Sequence, residues 1–429
     1  MNRNNLRDTG LYLVLAIFIG AASAFVANLF VNGAVLFSAL RELSLPVFTA
    51  LALNHVGWYQ GVALGFAALV IMYIRHAFGV TAWSGPAESM YALQYRAGPA
   101  LDAKIGTGSV LAAFVACGCG APVGQYGPVI HLGATLSQGL RNLIRQPLRP
   151  DIMLACGISG AITGAFNAPL AGMVFAFEVM LRKHQMLVII SVTAAAITAY
   201  LLNLWVFQHE VFLPVNIPHP NLQDTALATL VAPACALLAA GYIKSLWSMQ
   251  FLSQRVSISL GYKIFLCALI CAAAGAAVPE LLGVGQQPLQ QALTGSFSLT
   301  LLCILLFGKI ALTSLCIASG FYGGIFAPAL FVGAIAGVLF AKVLLQFGAG
   351  DWTGLLLLNA MAGVAAAVIG APMTVTLLVV ELTGSGVNGV LVIATAYIST
   401  WLTRRYLTPS YYQTQLNEIV RIAAVTAKS

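Results

Sequence analysis

"GQYGPVIHLGA" occupies Gly124–Ala134, and "GIFAPALFVGA" occupies Gly324–Ala334, two hundred positions further on. Each opens on glycine, has an aromatic third (Tyr126, Phe326) and proline fifth (Pro128, Pro328), and closes on Gly-Ala. Glycine and proline interrupt helices, and both stretches lie inside apolar sequence. A second pair matches in the same way: "APLAGMVFAFE" (Ala168–Glu178) and "APMTVTLLVVE" (Ala371–Glu381). In both, Ala-Pro opens a helix and glutamate stands nine residues after the proline. A chain rich in Gly, Ala and Pro repeats such letters by chance, but not in register over eleven residues twice. The pattern argues for two homologous halves, and paired interrupted segments point to a binding site near the membrane midplane between repeats.

The membrane itself follows from composition. Of 429 residues, 60% are hydrophobic and 7% charged, whereas roughly a quarter of a soluble domain is charged. Mean hydropathy is +0.92. The expected class is an all-α integral membrane protein with broken helices in two homologous halves. Residues 1–429 read as a single transmembrane domain, with halves near 40–205 and 225–402 and a C-terminal helix over 403–429. Short polar breaks fall near Arg41–Glu42, His76–Pro86, Arg141–Asp151, Arg182–Gln185 and Gln208–Asp224. No linker is long enough for a second domain, and no regulatory tail domain is expected after Thr408. At the N-terminus, Arg3 and Arg7 precede an apolar run with small residues at Ala22–Ala24, in the manner of a signal peptide. The run continues through Phe25–Phe37, so a retained first helix is expected. Net charge is +8. The basic residues are scattered over loops and both ends, which argues against nucleic acid and places both termini in the cytoplasm of a multi-pass inner-membrane protein. Cys117-Gly-Cys119 and Cys267…Cys271 are the closest of eight cysteines. Neither pair offers enough ligands for a metal, so they read as packing thiols, with no metal or cofactor expected. No nucleophile–base pair or phosphate loop suggests an enzyme.

The broken turns carry their own chemistry. Proline in a first helical turn, with glycine before it, reads as a half-helix start buried at membrane depth. Such a start presents free N–H groups and about half a positive charge, an anion site without a formal charge. Partial charges let an ion arrive and leave. No Asp or Glu lies between Asp102 and Asp151, so no carboxylate attracts a cation to the first turn. Glu178 and Glu381 are the clear intramembrane acids. Their matched places in the repeat favour a structural role, satisfying backbone or hydroxyl donors in each half.

Together "GQYGP", "FNAPLAGMVFAFE", "GGIFAP" and "APMTVTLLVVELTG", with "KIALTSLCIASGFYG" (Lys309–Gly323) leading into the second turn, resemble the CLC family of chloride channels and proton/chloride antiporters. The likeness covers nearly the whole chain and implies an antiparallel fold of two inverted repeats with tilted helices, and a homodimer with one pore per subunit. The family's GSGIPE turn resembles "WSGPAE" (Trp83–Glu88), with Trp83 in place of glycine and proline one position early. This implies Ser84 as a hydroxyl donor to a central anion, with Gly85 beside it. The GxFxP turn implies the backbone N–H groups of Ile325 and Phe326. "PSYYQ" (Pro409–Gln413) resembles the family's P-S-x-Y segment and implies Tyr412 as the second hydroxyl, with Tyr411 as fallback. Resemblance places the external site and gate at Gln125, Tyr126, Gly127 and Ala327.

Two departures bear on mechanism. The family's GREGP turn carries a gating glutamate third, and here that residue is Tyr126, with Gln125 in place of arginine. A phenol with a pKa near 10 is neither an anionic gate nor a proton carrier at ordinary pH. The inner proton-transfer glutamate of the exchangers falls at Val179. The expectation is therefore passive flux of chloride or similar small anions across the bilayer, without proton coupling. The alternative is a proton-coupled chloride antiporter with a non-standard route, for which His131 is the candidate beside its ordinary reading as a core histidine. A fluoride specialist, a non-conducting scaffold plugged by Tyr126 and a cation-coupled transporter are the remaining rivals.

Overall fold

The computed structural model describes residues 3–42, 56–95, 101–144, 148–181, 185–208, 215, 226, 228–348, 350–384 and 386–426. The polar breaks expected at 182–185 and 208–224 therefore lie largely outside the described residues. The first half runs α1 (Arg3–Glu42), α2 (Val56–Phe78), α3 (Pro86–Gln94), α4 (Ala103–Gly118), α5 (Tyr126–Leu143), α6 (Pro150–Phe166), α7 (Pro169–Phe175) and α8 (Met186–Leu202). The second runs α9 (Ala232–Arg255), α10 (Leu260–Ala277), α11 (Gln286–Leu293), α12 (Leu299–Ser319), α13 (Phe326–Gln346), α14 (Thr353–Ile369), α15 (Pro372–Thr383) and α16 (Gly386–Leu402), and α17 (Tyr411–Thr426) follows. Six of the described helices are long and apolar enough to cross a membrane, while α4, α6, α14 and α15 are apolar but shorter. Helix α1 is continuous over 40 residues and packs against α6 and α8. The apolar run past Ala24 is thus part of the fold.

The two halves repeat element by element. Helices α5 and α13, α6 and α14, α7 and α15, and α8 and α16 begin at positions that keep the offsets of the motif pairs. Local chemistry sets the breaks. α6 stops at Asn167 (φ 54°) and α14 at Gly370 (φ 80°), both left-handed. Asn and Gly take that conformation at least cost. Two residues later, Pro169 and Pro372 restart a helix at its first position, where the missing N–H costs nothing.

Each restarted helix is capped by the other half. The Glu381 carboxylate accepts from the N–H groups of Leu170 (2.8 Å) and Ala171 (2.9 Å) at the start of α7. The Glu178 carboxylate accepts from Met373 N (3.0 Å), Thr374 N (2.8 Å) and the Thr374 hydroxyl (2.6 Å) at the start of α15. The structural role expected of these acids holds, and the partners lie across the repeat boundary. Hydrogen bonds to a charged group contribute about 1.5–3 kcal/mol each. Glu178→Ala should therefore lower the thermal unfolding midpoint of the detergent-purified protein, with Glu178→Gln intermediate. Midpoints equal to that of the unmodified protein in both variants would show that these caps hold nothing together.

Candidate anion site

The two opening stretches meet. Gly124 N–H donates to the Gly324 carbonyl at 2.6 Å, and Gly324 N–H donates back to the Gly124 carbonyl. This antiparallel bridge is the isolated strand-like pairing found among the described residues. A Cβ on Gly324 would lie 2.7 Å from the Gly127 nitrogen, and one on Gly124 would lie 2.7 Å from the Gly324 oxygen. Only glycine fits either place. Helices α5 and α13 start two residues after the bridge, and neither start receives a side-chain cap.

Two cavities reach this pair of turns. The first, of about 620 Å³, is lined by Gln60, Cys117, Gln125, Glu280 and Gly283 among others. The second, of about 210 Å³, is lined by Gly85, Gly127, Tyr322, Gly324, Ile325 and Tyr412 among others. Gln125 lines the first and Gly127 the second, while Tyr126, between them in the chain, lines neither. Its buried ring stacks on Phe166 with centroids 3.6 Å apart and planes at 23°, and it meets Phe326 edge-on at 6.4 Å. Phe166 and Phe326 also meet edge-on at 5.9 Å. Its hydroxyl interacts with the Gln125 side chain and lies within electrostatic reach of Cys117, both on the first cavity's wall.

Tyr412 lines the second cavity, and its buried hydroxyl has no hydrogen-bond partner. The neighbouring Tyr411 hydroxyl accepts from Gln415 Nε2 at 3.2 Å and Gln250 Nε2 at 3.4 Å. Buried hydroxyls are paired as a rule. Of the two adjacent tyrosines, Tyr412 is the one whose hydroxyl has no partner of either kind.

The first family-like turn is placed less as its letters suggest. Trp83 and Gly85 line the second cavity, but Ser84 between them does not. The Trp83 indole N–H donates to the Gly320 carbonyl at 2.9 Å, and its ring stacks near Tyr322 at 5.5 Å. The Ser84 carbonyl accepts from the Tyr322 hydroxyl at 2.5 Å, and the Ser84 N–H donates to Ser109 Oγ at 3.0 Å. Gly85 N–H donates to Glu88 Oε2 at 2.6 Å, so Gly85 brings backbone surface to the cavity rather than a free N–H. Ile325 lines the cavity. Phe326 sits beside it in the aromatic cluster, and Ala327 is buried against Gly124.

The sequence reading missed four polar residues of the second cavity's wall: Tyr322, Gln250, Gln415 and Glu88. The signal for Glu88 was present, since an acid three places after Gly85 is placed to reach back and accept from its backbone N–H. His131 is buried and shares a hydrogen bond of 2.9 Å, through Nδ1, with Ser89 Oγ on α3. Val179 presents an apolar side chain, while its carbonyl accepts from Gln94 Nε2 at 3.2 Å.

Two repeats of broken helices, with uncapped helix starts meeting at a buried cavity, define a multi-pass membrane protein of the repeat-built transport class. Residues 64–404 match the voltage gated chloride channel family, and the chain belongs to it. The H(+)/Cl(-) exchange transporter ClcA of Vibrio parahaemolyticus is 30% identical over 303 residues, 63% of this chain and 60% of the relative. The chain thus spans less than two thirds of that protein's length. Among solved structures, a slow cyanobacterial Cl−/H+ antiporter superposes with a TM-score of 0.86 at 20% identity, covering 96% of this chain and 98% of the other. A CLC-type fluoride/proton antiporter superposes at 0.78 with 18% identity, over 97% and 99%. At these identities the structures establish the fold, which is the all-helical two-repeat class expected.

The free hydroxyl of Tyr412 sets a direct test. Tyr412→Phe should weaken chloride binding about tenfold or more by calorimetry, because one donor to a desolvated anion contributes about 1.5–3 kcal/mol. Tyr411→Phe and Ser84→Ala should change it little. Equal affinity in the unmodified and Tyr412→Phe proteins would place the anion elsewhere.

Proposed function

We propose that this protein carries small anions, chloride first, across the membrane through the two cavities and past Tyr126. The observation that carries the reading is the unpartnered Tyr412 hydroxyl, buried where the uncapped starts of α5 and α13 converge. Donors of this kind hold an anion by partial charge, in a cavity where hydration is incomplete. The proposed central site comprises Tyr412 Oη and the backbone at Ile325 and Phe326, with Gly85 on its wall and Ser84, expected there from the sequence, off it. The proposed outer site and gate comprise Gln125, Tyr126, Gly127 and Ala327. The resemblance supports a homodimer with one pore per subunit, and the basic ends support cytoplasmic termini in a cell membrane.

On coupling, the comparisons favour the reading that the sequence ranked second. The relative is named an exchange transporter and both structural neighbours are described as antiporters. Passive flux rests on Tyr126 and Val179, neither of which exchanges protons at ordinary pH. Exchange in this chain needs another titratable group near the path, and His131, hydrogen-bonded to Ser89 on the helix that follows Gly85, supports that reading.

Proteoliposomes loaded with potassium chloride should release chloride only when valinomycin supplies a potassium path. Release that collapses the potassium gradient without an ionophore would sink the anion reading. In the same vesicles, chloride-driven proton movement that stops in His131→Gln supports exchange, and a constant internal pH during chloride flux supports the passive mechanism.

The residue at the gate can be tested under either mechanism. Tyr126→Glu places a carboxylate, with a reference pKa of about 4.3, beside the open starts of α5 and α13. The charged form competes with anions there, so flux should fall as pH rises from about 4.5 to about 7.5. A variant equally active at both ends of that range would mean that this side chain does not face the ion path.

A further inference from the structure

Cys267 and Cys271 stand one turn apart on α10, and Cys316 meets them from the last turn of α12. The Cys316 sulfur lies 3.6 Å from Cys267 Sγ and 3.5 Å from Cys271 Sγ. All three sulfurs fall within 4.8 Å of one another, and all three residues are buried free thiols. Two ligands were visible in the sequence. The third comes from a helix forty-five residues away and supplies the apex of a triangle.

We propose that Cys267, Cys271 and Cys316 form a binding site for a soft, thiophilic cation, with Cu(I) the ion whose chemistry fits. Thiolate ligands select soft ions such as Cu(I) over hard ones. A metal–sulfur bond is about 2.3 Å, so three sulfurs in a plane around one ion stand about 4.0 Å apart. The two short separations need to open by a few tenths of an ångström only. Zinc requires a fourth ligand, and the group interacting with Cys267 beyond the cluster is the Ser319 side chain, a poor zinc ligand.

Charge and access agree. On binding, two thiols each release a proton and form copper–thiolate bonds, while the third coordinates as the neutral thiol. One Cu(I) with three thiols thus gives a complex of charge −1 and two protons. A buried anionic complex is unfavourable without a counter-charge. Lys309, fully buried on α12, is within electrostatic reach of Cys271 and Cys316. Its ammonium donates to the carbonyls of Leu281 (3.1 Å) and Gly283 (2.6 Å), so its charge is solvated by neutral groups and available to the complex. A cavity of about 190 Å³ reaches Cys267, and Met249 on its wall places a thioether, itself a soft ligand, along the way.

Cu(I) presented as its bicinchoninate complex to the purified, reduced full-length protein tests the proposal. The protein should withdraw one Cu(I) per chain. Cys271→Ser and Cys316→Ser should lose that binding, while Cys235→Ser and the exposed Cys303→Ser retain it. X-ray absorption on the copper-loaded unmodified protein should show a shell of three sulfurs at about 2.3 Å, a readout that does not depend on any variant folding. Failure of the unmodified protein to withdraw copper, binding that survives the loss of Cys271 and Cys316, or a shell of nitrogen and oxygen would each overturn the site.

Discussion

The fold depends on a pair of hydrogen bonds between two glycines. At membrane depth no water satisfies an interrupted backbone, so the N–H and C=O groups freed by a broken helix must find partners inside the protein. Gly124 and Gly324 solve this by exchanging both groups with each other. The exchange is possible only when the two turns run antiparallel, which fixes the inverted relation of the halves. It also demands that neither turn carry a side chain at the contact. Once that contact is made, α5 and α13 must begin beside each other, because each starts two residues later.

The consequence is an uneven use of helix starts. Of the four matched starts at the repeat breaks, those of α7 and α15 are neutralised by Glu381 and Glu178, each reaching over from the opposite half. The starts of α5 and α13 receive no side-chain cap. The positive ends left open are thus the two that border the cavities. Glu88 spends an oxygen on Gly85 N–H and so keeps a third helix start, on the same wall, from adding to them. The anion preference proposed here would need no buried cation, because it would come from which N–H groups the carboxylates leave alone.

Much of this was legible in the letters, because a repeat leaves matched offsets whatever its three-dimensional form. The motif pairs located both breaks and both structural acids. They did not show that each acid caps the opposite half, since sequence separation says nothing about which of two equivalent helix starts a side chain faces. Ser84 was obscured by Trp83, whose large ring anchors to Gly320 and draws Tyr322 onto the Ser84 carbonyl. The choice between Tyr411 and Tyr412 rested on Gln250 and Gln415, residues on two different helices. Cys316 was hidden for the same reason, because only packing of α12 on α10 brings it to Cys267 and Cys271.

Tyr126, at the position proposed as the gate, is held in place without charge. A carboxylate there would be held by the open N-termini of α5 and α13 and would compete with the ion for them. A phenol lies against Phe166 from α6 and Phe326 from α13, so its ring joins three helices that the bridge alone would not tie together. An edge-on aromatic pair such as that with Phe326 contributes about 0.5–1.5 kcal/mol beyond its buried area. The ring's position is thus set by packing rather than by the electrostatics of the path, and its hydroxyl end keeps a polar neighbour in Gln125. In the proposed function, closure by this ring would be independent of pH near neutrality, while the starts of α5 and α13 stay free of the protein's own carboxylates. In the proposed function, ion affinity and closure, which one acidic residue would combine, are divided between the backbone of the two turns and an aromatic stack.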